Sequence, residues 1–121
     1  MQLAKRDLST TTRNLAESPD WAYSIAYNSI LQAGRALMFY DGYRPRGADQ
    51  HATVVEFIEE RLGLQFSNQV RLFDQMRRKR HKIIYEIAGI ISNNEAKQAV
   101  NFAQTFVTQI TEIITGQNRL I

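Results

Sequence analysis

The chain contains no cysteine. Disulfides and thiolate metal sites are therefore excluded, and a reducing compartment is compatible with the composition. Histidine occurs only at His51 and His81, and neither stands among clustered acids, so a zinc or two-metal hydrolytic centre is not expected. No apolar run approaches the ~20 residues of a membrane-spanning helix. The opening Met1-Gln2-Leu3-Ala4-Lys5-Arg6-Asp7 is charged where a signal peptide would be apolar. These absences predict a soluble, cytoplasmic protein that needs no cofactor and makes no membrane contact. Proline occurs twice and glycine six times, so elements can be long and their ends few.

At 121 residues the chain suits one domain, 1–121, with a short tail over 117–121. Its 44% hydrophobic content is that of a globular protein. The sparse punctuation predicts an all-α, up-and-down bundle of about five helices. The first covers Gln2 to about Glu17, although Ser9-Thr10-Thr11-Thr12 weakens its local propensity. Ser18-Pro19 reads as an N-cap followed by proline at the first helical position. That second helix runs to about Asp41, stops at Gly42, and carries Trp21, Ile25, Ile30, Ala33 and Leu37 as its apolar stripe. Gly42 to Ala48 is the substantial loop, its glycines lacking phosphate-loop spacing. Asp49 then caps a third helix, Gln50 to Leu62, with Val54, Val55, Ile58 and Leu62 inward and His51 in a capping or packing role. A fourth helix is expected from Ser67 to Ile91. Ser92 and Glu95 form a capping box that opens the fifth, whose apolar face runs from Ala96 to Ile114 before Gly116 ends it.

Charge is unevenly placed. Arg71, Arg77, Arg78, Lys79, Arg80 and Lys82 stand against Asp74 alone, a net +5 within twelve residues. The whole chain is +3, so the remainder is −2. Such a segment concentrates polyanions such as nucleic acid, or else is a solvated helix face. The fourth helix also breaks its own apolar period. The stripe Val70, Phe73, then Ile84, Ile87, Ile91 passes through Arg77 and Arg80. Arginine buried unpaired is costly, so either the helix emerges from the core there or these arginines line a cleft or subunit interface. A neighbouring stripe presents Asp74, Arg77 or Arg78, His81 and Tyr85. Guanidinium groups fork onto phosphate, and an imidazole moves protons near neutral pH. RNA carries its own nucleophile in the 2′-hydroxyl, so such groups can cut it without metal. From the spacing alone, a surface or helix-pairing histidine and a core-edge tyrosine with its hydroxyl in water are the simpler readings. Trp21, Tyr23, Tyr27, Phe39 and Tyr40 read as core and interface, not as a base-stacking platform.

The run Arg77-Arg78-Lys79-Arg80-His81-Lys82-Ile83-Ile84-Tyr85-Glu86 resembles the signature helix of HEPN domains. So do Trp21 to Asn28, Ala36-Leu37, Gly42-Tyr43-Arg44-Pro45 and Gln50 to Phe57, and together these span nearly the whole chain. The resemblance implies a small prokaryotic helical bundle that is usually dimeric. Many such domains are metal-independent ribonucleases, often the toxin paired with a minimal nucleotidyltransferase in a toxin–antitoxin system. Active members carry an arginine, a polar residue next to it, and a histidine four to six residues beyond the arginine. Arg80 and His81 match the first two, and Tyr85 stands where the histidine is expected. The resemblance thus implies Arg80, His81 and Tyr85 as catalytic candidates, with Arg77, Arg78, Lys79 and Lys82 as RNA-binding residues. An ideal helix sets Arg80 and Tyr85 ~140° apart, which favours a groove shared by two copies across a symmetry axis. The expectation is a homodimer that binds RNA in that groove with weak or absent cleavage. The alternatives are a non-catalytic module docked on a nucleotidyltransferase partner, and a fully active ribonuclease toxin.

Overall fold

The computed structural model describes residues 4–5, 18–44, 50–85 and 89–116, with all their side chains except those of Ile84 and Tyr85. Among them are four α-helices and no strand: α1 (Pro19–Tyr40), α2 (Gln50–Leu62), α3 (Ser67–Tyr85) and α4 (Asn93–Thr115). A single 3₁₀ turn, Leu64–Phe66, joins α2 to α3. The helix expected over Gln2–Glu17 falls outside the described residues except for Ala4 and Lys5, which are helical. The Asp49 cap and the 117–121 tail also fall outside them.

The starts of α1 and α4 follow from local chemistry. Ser18 accepts a hydrogen bond from the Trp21 backbone N–H at 3.2 Å, and Pro19 needs no such partner. At α4 the Ser92 hydroxyl accepts from Glu95 N while the Glu95 carboxylate accepts from Ser92 N, the reciprocal capping box.

Helix α1 is the central element, packed along α4 and against α2 and α3. Its residues Ala22, Ala26, Tyr27, Ile30, Ala33 and Leu37 are buried in one cluster with Val54, Ile58, Phe73, Met76, Ala103, Phe106 and Ile110. Aromatic contacts thread that cluster, Tyr27 to Phe73 and Phe73 to Phe106, with ring centroids 5.9 and 6.1 Å apart. Tyr27 meets His51 and Asp41 meets Arg61, so α1 and α2 run in the same sense. Between those contacts the two helices approach closely at Gly34, where a Cβ would lie 2.6 Å from Val54 Cγ1. Only glycine leaves room for Val54 and Ile58 there. The buried Ser29 hydroxyl donates to the Ala4 carbonyl at 2.8 Å and ties the N-terminal segment to this core.

Three expectations need correction. Helix α3 does not reach Ile91, because Gly89 has φ 77° and breaks the helical path. The backbone N–H groups of Gly89 and Ile91 donate instead to the Asp20 carboxylate, at 2.5 and 3.2 Å. Second, Met76 rather than Arg77 follows Phe73 into the core, since both are fully buried and Arg77 sits at the rim. Third, Trp21 is 57% exposed, and Phe39 and Tyr40 are about half exposed, so these three are not core residues.

Candidate functional site in the α1–α3 cleft

The basic segment of α3 is not a uniform band of free cations. Asp74 accepts from Arg77 Nε and pairs with Arg78 Nη2, each at 3.0 Å, one turn along the helix. Lys79 points to the other side and forms a hydrogen-bonded ion pair with Glu95 of α4. His81 and Lys82 are exposed. A guanidinium has five N–H donors, so Arg78 retains donors for phosphate after pairing with Asp74.

Arg80 has a different environment. It occupies the core register of α3, four residues after Met76 and seven after Phe73, at the point where the helix leaves the bundle. Its guanidinium carbon lies 5.5 Å from the centroid of the Tyr27 ring, over the aromatic face. That contact partly offsets the cost of desolvating the cation. Its Nε is buried without a hydrogen-bond partner, and among the described residues no carboxylate pairs with it. Arg80 and Ile83 form one wall of a cleft of about 330 Å³, and Ser18, Asp20, Trp21, Ser24, Ile25 and Asn28 of α1 and its cap form the other. Among the described residues the one carboxylate in that cleft is Asp20, which is already engaged by the two backbone N–H groups of Gly89 and Ile91. Among the described residues the cleft therefore presents a half-buried cation whose counter-charge is not supplied from within it.

The family model of the HEPN domain matches residues 1–114. The chain belongs to the HEPN domain family. Neither a curated protein nor a solved structure matches it. Family membership gives this HEPN domain a nucleotide- or RNA-related role in general terms. Among the described residues no helix is long and apolar enough to cross a membrane. Nor do three or more of their histidine, cysteine, aspartate or glutamate side chains gather where a metal could bind.

Within one copy of the HEPN domain Arg80 and His81 do not share one environment. Arg80 faces Tyr27 and the cleft, whereas His81 next to it is exposed. Tyr85 is the last residue of α3, and its side chain lies outside the described residues. Residues not singled out as site candidates from the sequence stand closer to Arg80: Trp21, Asp20, Asn28 and Tyr27. Tyr27 in turn holds His51, its hydroxyl 3.0 Å from Nδ1. A tryptophan in the first turn of α1, two residues past a Ser-Pro cap, is the one signal that could have pointed to this wall.

On the opposite side of α3, Lys79 and Glu95 edge a smaller cavity of about 170 Å³ beside Tyr23. The hydrogen bond from Lys79 holds the Glu95 carboxyl below its ordinary value, and Ser92 adds to the effect. Burial, with the negative Glu95 nearby, pushes the Tyr23 phenol up to about 12. A neutral phenol beside a paired carboxylate is an inert arrangement, and this side of α3 serves packing.

Proposed function

We propose that this HEPN domain binds RNA along α3 as a homodimer in the cytoplasm, with metal-independent cleavage that is weak or absent. The carrying observation is Arg80: a half-buried guanidinium with an unbonded Nε, facing a cleft whose only carboxylate among the described residues is otherwise engaged. A phosphate oxygen supplies both the missing acceptor and the missing charge. Arg77, Arg78 and Lys82 flank that position and extend the positive field along the helix. Lys79 is committed to Glu95 and contributes less than the sequence alone implies. Arg80 and His81 face apart in a single copy, which supports a site completed across a two-fold axis by a second Arg80, His81 and Tyr85. The roughly half-exposed Phe39 and Tyr40 add apolar surface that association can cover. That surface equally favours a second reading, in which the domain docks on an acidic protein such as a nucleotidyltransferase.

The test is binding of end-labelled single-stranded RNA, followed by fluorescence anisotropy at several salt concentrations. Affinity should fall steeply with salt, and Arg80→Ala should weaken it strongly. Replacing Arg77 and Arg78 together with alanine should weaken all sequences about equally, because phosphate contacts carry little sequence information. RNA binding that is absent at low salt would sink the proposal and leave the protein-docking reading.

A further inference from the structure

We propose that the α1–α3 cleft is a subsite for one unpaired nucleobase, with Trp21 as its stacking surface and Arg80 holding the adjoining phosphate. This rests on the RNA reading and narrows it: the ligand is single-stranded. Its volume of about 330 Å³ lies at the lower end of small-ligand pockets, large enough for a base and too small for a packed helix or strand. The lining is that of a base site rather than a bare anion hole. Trp21 and Ile25 offer an apolar wall, Ile83 faces them, and Ser18, Ser24 and Asn28 place donors and acceptors around the rim.

Exposure and charge fit the same occupant. Trp21 presents 57% of its surface to solvent although α1 is otherwise buried on several sides, so the indole is available for stacking. Asp20 does not repel the ligand at full strength, because two backbone N–H groups share its charge. Arg80 is braced against the Tyr27 ring, which fixes its guanidinium before a ligand arrives. A base held in a duplex cannot enter such a cleft without being unstacked and unpaired, at a cost that single strands largely avoid. Stacking on aromatics tolerates all four bases, so the subsite selects strandedness more than sequence.

Trp21 is the sole tryptophan, and its emission reports directly on the cleft. The full chain is titrated with adenosine monophosphate, ribose 5-phosphate, short single-stranded oligoadenylate, and the corresponding RNA duplex. The oligoadenylate and the monophosphate should quench Trp21, while ribose 5-phosphate, which lacks a base, and the duplex should not. In parallel, anisotropy of end-labelled oligoadenylate reads affinity without using tryptophan. Trp21→Ala should lower that affinity roughly 5- to 100-fold, the range of a lost stacking contact. Trp21→Phe should keep most of it, and both variants should retain the helical circular dichroism of the parent because the site is exposed. Binding by anisotropy with unchanged Trp21 emission, and with Trp21→Ala as tight as the parent, would overturn the subsite while leaving RNA binding intact. Emission that shifts with protein concentration and ignores the oligonucleotide would overturn it in favour of a subunit contact at Trp21. Failure of every RNA to bind at low salt would remove both the subsite and the broader RNA reading.

Discussion

The Tyr27 hydroxyl stands 3.0 Å from His51 Nδ1, and the opposite interaction of the same residue is the Arg80 guanidinium over its ring. One fully buried side chain thus braces the start of α2 and the exit of α3 from the core. Its two functions separate by mutation. Tyr27→Phe keeps the ring and removes the hydroxyl, and should cost about 0.5–1.5 kcal/mol, the net worth of one hydrogen bond. RNA affinity should change little, because Arg80 keeps its aromatic support. Tyr27→Ala should cost about 3–5 kcal/mol, as for other buried aromatics, and should weaken RNA binding as well. Urea denaturation and anisotropy titration of the two variants check this pair of outcomes. Equal RNA affinity for both variants would show that Arg80 does not depend on the ring.

The close approach of α1 and α2 gives a second test. A Cβ at Gly34 would lie 2.6 Å from Val54 Cγ1, and Val54 is fully buried. Gly34→Ala should destabilise by about 1–3 kcal/mol despite the better helix propensity of alanine. Val54→Ala alone also destabilises, by leaving a cavity. The double substitution should lose less than the two singles added together, because each change makes room for the other. Strict additivity in denaturant melts would mean that the helices move apart rather than repack.

Much of this fold was legible because its signals are local. Ser18-Pro19 and Ser92 with Glu95 are complete chemical instructions for helix starts, and the inward faces of α2 and α4 follow the 3.6-residue period without interruption. What was not legible depends on partners distant in sequence. Gly89 interrupts the apolar stripe that runs to Ile91, and Asp20, 69 residues earlier, takes up the backbone N–H groups freed there. Arg77 departs from the expected inward stripe for a related reason: the burial of Met76 turns Arg77 to the rim and leaves Arg80 in the core register, where the stripe places it. For the site, the charge cluster was visible and its division was not. Which cations are paired depends on Asp74 and Glu95 standing at the right distance, and Glu95 belongs to another helix. Trp21 was assigned to the core because its spacing to Ile25 suits a buried stripe, although the stripe begins one residue later at Ala22.

Stability should fall at both ends of the pH scale, for reasons centred on the Lys79–Glu95–Tyr23 group. Tyr23 is raised from 10.0 to about 12, so the folded state keeps the phenol neutral where the unfolded chain begins to ionise it. Its contribution is full below about pH 10 and is lost as pH rises from there through about 12. Glu95 is lowered from 4.5, chiefly by the Lys79 hydrogen bond, so its contribution is present above that value and fades as pH falls through the lower folded value. Tyr23→Phe should flatten the alkaline limb of the melting profile, and Glu95→Gln the acid limb. Profiles unchanged by either substitution would place the titrating groups elsewhere.

The decisive catalytic question lies in the residue that ends α3. An ordinary phenol has a pKa of ~10, so on the order of 0.1% of it is ionised at neutral pH, and it makes a poor general base. On the sequence resemblance Tyr85 takes the place of a motif histidine, and a phenol there can still donate a proton or hold a phosphate oxygen. The imidazole of His81 suits proton transfer, but in one copy His81 is exposed while Arg80 faces the cleft. Total RNA incubated with the protein in EDTA should therefore be cut slowly or not at all. Tyr85→His should raise that rate, since a positioned acid–base group is typically worth ~10²–10⁴-fold and partial alignment still gives a measurable gain. Adding Arg80→Ala should abolish the gain, because the guanidinium would no longer stabilise the charge that develops on the phosphate. A mixture of parent subunits with subunits that carry both Arg80→Ala and Tyr85→His discriminates further. If the groove is shared across the dimer, heterodimers that pair an intact Arg80 with a histidine from the other copy should recover part of the activity. Rapid cleavage by the parent protein that needs both Arg80 and Tyr85 would overturn this account and make tyrosine a working member of the site.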